Sequence, residues 1–174
     1  MKLGIGSYAY YWATGAPGYP PDSPLTVLDL IDKAAVLGVR LVQIDDNLPL
    51  HTLTASALEA LVEHARGHAI ELEIGTRGIH PRSLRQYVEL ASSIGARLVR
   101  TVIDVTGHHL SVNEIISTVQ IIVPDLESSG ITLAIENHDG FLARTLAQII
   151  ERIGSNNVGV CLDTVNSFGA LEGP

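Results

Sequence analysis

The chain has 174 residues, 46% of them hydrophobic and 17% charged, with a formal net charge of -8. That composition supplies apolar material for one globular core, and its acidic balance with scattered Arg and Lys excludes an electrostatic draw to nucleic-acid phosphate. A single cysteine, Cys161, excludes an intramolecular disulfide, and neither a secretory signal nor an apolar run of about 20 residues is present. The expectation is one domain over residues 1–174, soluble and cytoplasmic, with no membrane partner.

Read in chain order, the sequence repeats one theme: an amphipathic stretch, a glycine or polar turn, a short run of Val, Ile and Leu, then a polar residue. Strands are expected near 2–6, 40–45, 70–74, 97–103, 131–136 and 157–163. Between these runs lie TVLDLIDKAAVLG, SALEALVEHARG, RSLRQYVELASSIG, VNEIISTVQIIVPDLESSG and ARTLAQIIERIG, each with apolar residues at helical spacing and a closing glycine. Pro124 falls inside the fourth and should kink or restart that helix. Ser23 and Pro24, after a proline-rich loop, look like the start of the first.

The apolar runs end roughly every 30 residues, which is the length of one strand plus one crossover helix in a parallel sheet. Their apolar character on both faces fits strands covered from both sides. The fold class is therefore α/β, either a doubly wound sheet or a (β/α)8 barrel of which about six βα units are present. Both architectures place function at the carboxyl ends of the strands. Those ends carry Ser7 with Tyr8, Tyr10, Tyr11 and Trp12; Gln43, Asp45 and Asp46; Glu73 and Arg77; Arg100 and Asp104; Glu136, Asn137 and His138; and Asp163 with Asn166. Glu136 and Asp163 end consecutive strands, about 5 Å apart, so their hard oxygens can share a divalent cation.

The motifs IENH and GVCLDTVNSFG, set on this βα repeat, resemble the sugar phosphate isomerase/epimerase superfamily. These are the xylose-isomerase-like TIM barrels, which include psicose and tagatose epimerases, hydroxypyruvate isomerase, inosose dehydratase and endonuclease IV. The resemblance spans the chain in layout and is specific from about Ile131 to Gly169. It implies that Glu136 and Asp163 bind a divalent metal (Mn, Mg, Co or Zn), and that Glu136 also belongs to an acid/base pair moving a proton next to a ketose carbonyl through an enediolate. It further implies a small-molecule sugar substrate contacted by Tyr8, Trp12, Arg100, His138 and Asn166.

Two departures from the family pattern stand out. The histidine and glutamate that complete its metal site follow the seventh strand and lie on the eighth, beyond Pro174; this predicts an N-terminal piece of a barrel of roughly 270 residues, inactive alone and prone to pair through open edges as a homo-oligomer. Asn166 stands where some members carry a histidine, which argues against the endonuclease reading. Other roles stay open: Glu136 and Asp163 as helix caps, Arg100 as the cation of an internal ion pair, His138 as a loop residue, Tyr8 and Trp12 as lid packing, and His108 and His109 as surface loop. At the level of the protein, a dehydratase or lyase of the same superfamily and a non-catalytic sugar-binding barrel are the alternatives to an isomerase.

Overall fold

A computed structural model describes residues 2–103, 110–138 and 141–171. Its order is β1 (Ile5–Gly6), a 3-10 turn, α1 (Tyr11–Thr14), α2 (Val27–Leu37), β2 (Leu41–Ile44), α3 (Ala55–Gly67), β3 (Glu71–Arg77), α4 (Pro81–Ile94) and β4 (Leu98–Val102). It continues with α5 (Val112–Gln120), α6 (Val123–Ser129), β5 (Thr132–Glu136), α7 (Ala143–Ile153), β6 (Val158–Cys161) and α8 (Thr164–Gly169). The chain forms two compact units, Met1–Gly75 with Ser93–Ala96 and Thr76–Ser92 with Arg97–Pro174.

In the first unit β1 pairs in parallel with β2, and β2 with β3 in the register Val42↔Leu72 and Ile44↔Ile74. Helix α2 starts at Val27 rather than at Ser23 and Pro24. Thr26 is the reason: its hydroxyl accepts from the Asp29 amide at 3.2 Å while the Asp29 carboxylate accepts from the Thr26 amide at 2.8 Å, a closed capping box. Gly38 ends the helix in the left-handed region, φ 71°, where a side chain would be strained. Leu30, Ile31 and Ala34 bury the inner stripe of α2, which packs on β2 and α3. Each Leu or Ile so removed from water contributes about 1.5–3 kcal/mol before entropy is counted.

In the second unit β4, β5 and β6 are parallel in chain order, with Val99↔Leu133 and Ile135↔Val160 in register. Ile115, Val119, Leu126, Leu146 and Ile149 fill the helical layer. Pro124 acts as its geometry requires: α5 ends at Gln120 and α6 begins at Val123 with the proline in its first turn, where a missing N–H costs nothing. Strand β6 departs from the two-sided burial read for VGVCL. Val160 is 43% exposed and Leu162 63%, because among the described residues β6 pairs with β5 alone. Among those residues no helix is long and apolar enough to cross a membrane.

Candidate functional site

Strand register builds the core of the site. Arg100 of β4 lies opposite Ala134 of β5, and Val102 opposite Glu136. Side chains alternate along a strand, so Arg100, Ala134 and Glu136 share one face while Val99, Leu133 and Ile135 take the other. Arg100 and Glu136 are then diagonal neighbours, within reach of a long side chain. Ala134 and the register-matched Gly159 of β6 are small residues at the neighbouring positions. Arg100 Nε donates to Glu136 Oε2 at 2.5 Å, with side-chain exposures of 10% and 8%. The second carboxylate oxygen, Oε1, accepts from Asn166 Nδ2 at 3.2 Å.

Beside this pair, buried Asn137 fastens the start of α8 to the end of β5. Its Nδ2 donates to the Asp163 carbonyl at 2.9 Å and to Ser167 Oγ at 2.9 Å, and its Oδ1 accepts from the Asp163 amide at 2.6 Å. Asp163 caps α8: Oδ1 accepts from the amides of Val165 and Asn166 at 2.8 and 3.2 Å. The other oxygen, Oδ2, makes no such bond among the described residues. His138 is half-buried, and its amide donates to the Glu136 carbonyl at 2.9 Å.

The structure thus brings together Arg100, Glu136, Asp163 and Asn166 in the second unit. Arg100 does make the internal ion pair, and Asp163 is a helix cap through one of its two oxygens. Asp104, His108, His109 and Asp139 lie outside the described residues.

Tyr8 and Trp12 belong to the first unit. The Tyr8 ring stacks on Tyr11 with centroids 5.8 Å apart and its hydroxyl donates to Asp46 Oδ1 at 3.1 Å. Trp12 is exposed and sits edge-on between Tyr11 and Tyr19 at 5.8 and 5.9 Å. Beneath this aromatic face is a buried polar knot. Ser7 Oγ accepts from the Asp45 amide at 2.9 Å and donates to Asn47 Oδ1 at 2.5 Å, and Asn47 Nδ2 returns to the Ser7 carbonyl at 3.1 Å. Asp45 is buried and Asp46 half-buried.

Asp45 also explains Gly75 of β3: a Cβ there would lie 1.8 Å from Asp45 Oδ1. Only glycine admits the carboxylate so close to the neighbouring strand.

The donor chemistry of Glu136 and Asp163 fits a divalent cation. Both offer hard carboxylate oxygens, and the bonds to Arg100, Asn166 and the α8 amides leave lone pairs on each group. A second set of metal-competent groups, Asp32, His64 and His68 in the first unit, offers three ligand atoms within 4.8 Å of one another. Sequence reading passed over it, although His64 and His68 are four residues apart on one helix, a visible signal.

Comparison with known proteins bears on the whole chain. It is 28% identical over 174 residues to 3-oxo-isoapionate decarboxylase of Pectobacterium atrosepticum, and spans 62% of that protein's length. A crystal structure of D-psicose 3-epimerase in the presence of D-fructose superposes with a TM-score of 0.80 at 16% identity, covering 99% of this chain and 67% of the epimerase. A xylose isomerase-like TIM barrel protein from Mycobacterium smegmatis, in complex with magnesium, superposes with a TM-score of 0.71 at 16% identity, covering 94% of this chain and 64% of the other. These likenesses make the fold, six parallel strands alternating with helices, that of a partial (β/α)8 barrel. The sequence model of one family matches residues 31–174, and on that match the chain belongs to the xylose isomerase-like TIM barrels.

Proposed function

We propose that the ends of β5 and β6 form part of the active site of a metal-dependent isomerase or epimerase acting on a sugar or sugar derivative. The observation that carries this reading is the joining of Glu136 and Asp163 into one hydrogen-bonded assembly by Asn137 and Asn166. Glu136 and Asp163 are the residues that would hold the cation. When bound, a divalent ion supplies polarisation of a substrate carbonyl, which acidifies the adjacent carbon.

The chain's own groups do the rest. Glu136 takes or returns the proton at that carbon, by way of an enediolate. Arg100 offsets the charge of the buried carboxylate and fixes its orientation. Asn166 holds the other oxygen. Within the first unit, Tyr8 and Trp12 offer aromatic faces of the kind that stack on a sugar ring. His138, next along the chain from Asn137, contacts a substrate oxygen.

A second reading is decarboxylation, favoured by the 28% identity that runs the full chain to a decarboxylase, against 16% to the epimerase. The two reactions share their central requirement. Loss of carbon dioxide from a 3-oxo acid breaks a carbon–carbon bond and leaves its electron pair as an enolate beside the carbonyl, which a proton then quenches. The electron pair that proton abstraction produces is the same.

The test uses the full-length protein with a divalent ion and candidate ketoses in heavy water. Proton transfer puts solvent deuterium into recovered sugar, and Glu136→Gln should slow this about 10²- to 10⁴-fold. Release of carbon dioxide from 3-oxo sugar acids, without exchange into ketoses, would select the second reading. Turnover of either kind that survives Glu136→Gln unchanged would remove Glu136 from the mechanism.

A further inference from the structure

Outside the strand-end site, we infer that Asp32, His64 and His68 form a transition-metal site that clips α2 to α3, of the kind filled by zinc. This inference is independent of the proposed activity. His64 lies in the last turn of α3 and His68 is its C-cap, so the four-residue spacing puts both imidazoles on one side of the helix end. Asp32 projects from the neighbouring α2, which packs against α3. Both imidazole Nε2 atoms converge on the same carboxylate oxygen, Asp32 Oδ1, at 2.7 Å for His64 and 3.5 Å for His68. The two rings meet edge to face with centroids 5.0 Å apart.

That arrangement is close to a coordination sphere. Zinc bonds of about 2.0–2.1 Å in a tetrahedron separate neighbouring ligand atoms by roughly 3.4 Å. The Asp32–His68 separation already matches, and the Asp32–His64 pair needs to open by well under 1 Å, a small rotation of a part-exposed ring. Three protein ligands leave one position for water. Two imidazole nitrogens with one carboxylate select zinc, copper or nickel, whereas magnesium and calcium prefer all-oxygen sets.

The setting helps further. The C-terminal end of α3 carries the negative end of its dipole, which favours a cation. Arg40 donates to the His68 carbonyl at 2.5 Å, holding the backbone that carries the third ligand. Lys33, beside Asp32 in sequence, is drawn off by the Tyr10 ring, 5.4 Å from its centroid. With exposures of 33%, 40% and 55% for His64, His68 and Asp32, the site is open to an ion from solvent.

The experiment removes the strand-end carboxylates first. In the Glu136→Gln/Asp163→Asn chain, calorimetric titration with zinc chloride should find one equivalent bound. A hundredfold excess over the dissociation constant should raise the melting temperature by on the order of 5 °C. His64→Ala should abolish both effects, and so should His68→Gln, each at a part-exposed position and checked for native circular dichroism. Copper(II) in the same background should show two nitrogen ligands by electron paramagnetic resonance. Absence of zinc uptake in that background, or uptake unaltered by either histidine substitution, would overturn the inference.

Discussion

Replacing Arg100 by Met probes the buried ion pair of the strand-end site. The substitution keeps most of the apolar stem but removes the cation from Glu136, whose side chain is 8% exposed. Two unit charges about 4 Å apart at an effective dielectric near 20 attract by about 4 kcal/mol, which desolvation of both groups largely offsets. The intact pair is therefore worth little net, while the carboxylate left behind keeps its desolvation cost and, among the described residues, the Asn166 amide as its partner. Arg100→Met should destabilise the chain by about 3–5 kcal/mol. Arg100→Lys should fall in between, since an ammonium keeps the charge without the fork of the guanidinium. The readout is urea unfolding by far-ultraviolet circular dichroism, extrapolated linearly to water. Adding Glu136→Gln removes the stranded charge, so the double variant should regain most of the loss, with a coupling of at least about 2 kcal/mol. The reasoning fails if Arg100→Met lies within about 0.5 kcal/mol of wild type, or if the two substitutions simply add.

Two other expectations concern the first unit. Gly75→Ala would place a Cβ 1.8 Å from Asp45 Oδ1 and 2.8 Å from its Cγ, forcing the buried carboxylate to move. A loss of about 1–3 kcal/mol in thermal or urea unfolding is expected, part of it restored by Asp45→Ala, and a neutral Gly75→Ala would contradict the steric account.

Asp29 gives a pH signature. The Thr26 hydroxyl first, then the Thr26 amide, with help from Lys33, hold its carboxyl below the ordinary value of 3.8. A folded-state value below the unfolded one contributes stability that is present above pH 3.8 and disappears as pH falls through the lowered folded value. The melting-temperature gap between wild type and Asp29→Ala should therefore be larger at pH 7 than at pH 2, and small throughout because the group is exposed. A gap independent of pH would count against the capping box as its source.

How far the sequence reveals these features depends on how local each one is. The βα repeat was legible because its signals are local: helical stripes, glycine stops and short Val, Ile and Leu runs. Pro124 was legible for the same reason. The start of α2 was misplaced because Ser23 and Pro24 make a recognisable helix opening, while the reciprocal pair Thr26 and Asp29 closes the stronger one three residues on.

At the site, Glu136 and Asp163 stood out as acids ending apolar runs. Their setting was less visible. That Arg100 meets Glu136 follows from a diagonal that exists only once β4 and β5 are in register. The several bonds of Asn137 depend on the direction its amide takes, which no spacing encodes. Asp32 sits in α2, and only the packing of α2 on α3 brings it to His64 and His68.

The amide of Asn137 has a thermodynamic consequence for whatever binds beside it. Among the described residues its three side-chain bonds reach Asp163 and Ser167, at the head and in the body of α8. The docking of that six-residue helix therefore holds both the Asp163 backbone and the Asn166 bond to Glu136 in place. Helix docking and occupation of the carboxylates are then two readings of one equilibrium: a ligand gripping Asp163 must protect the α8 amides from hydrogen exchange, and loosening α8 must weaken the ligand by the same factor.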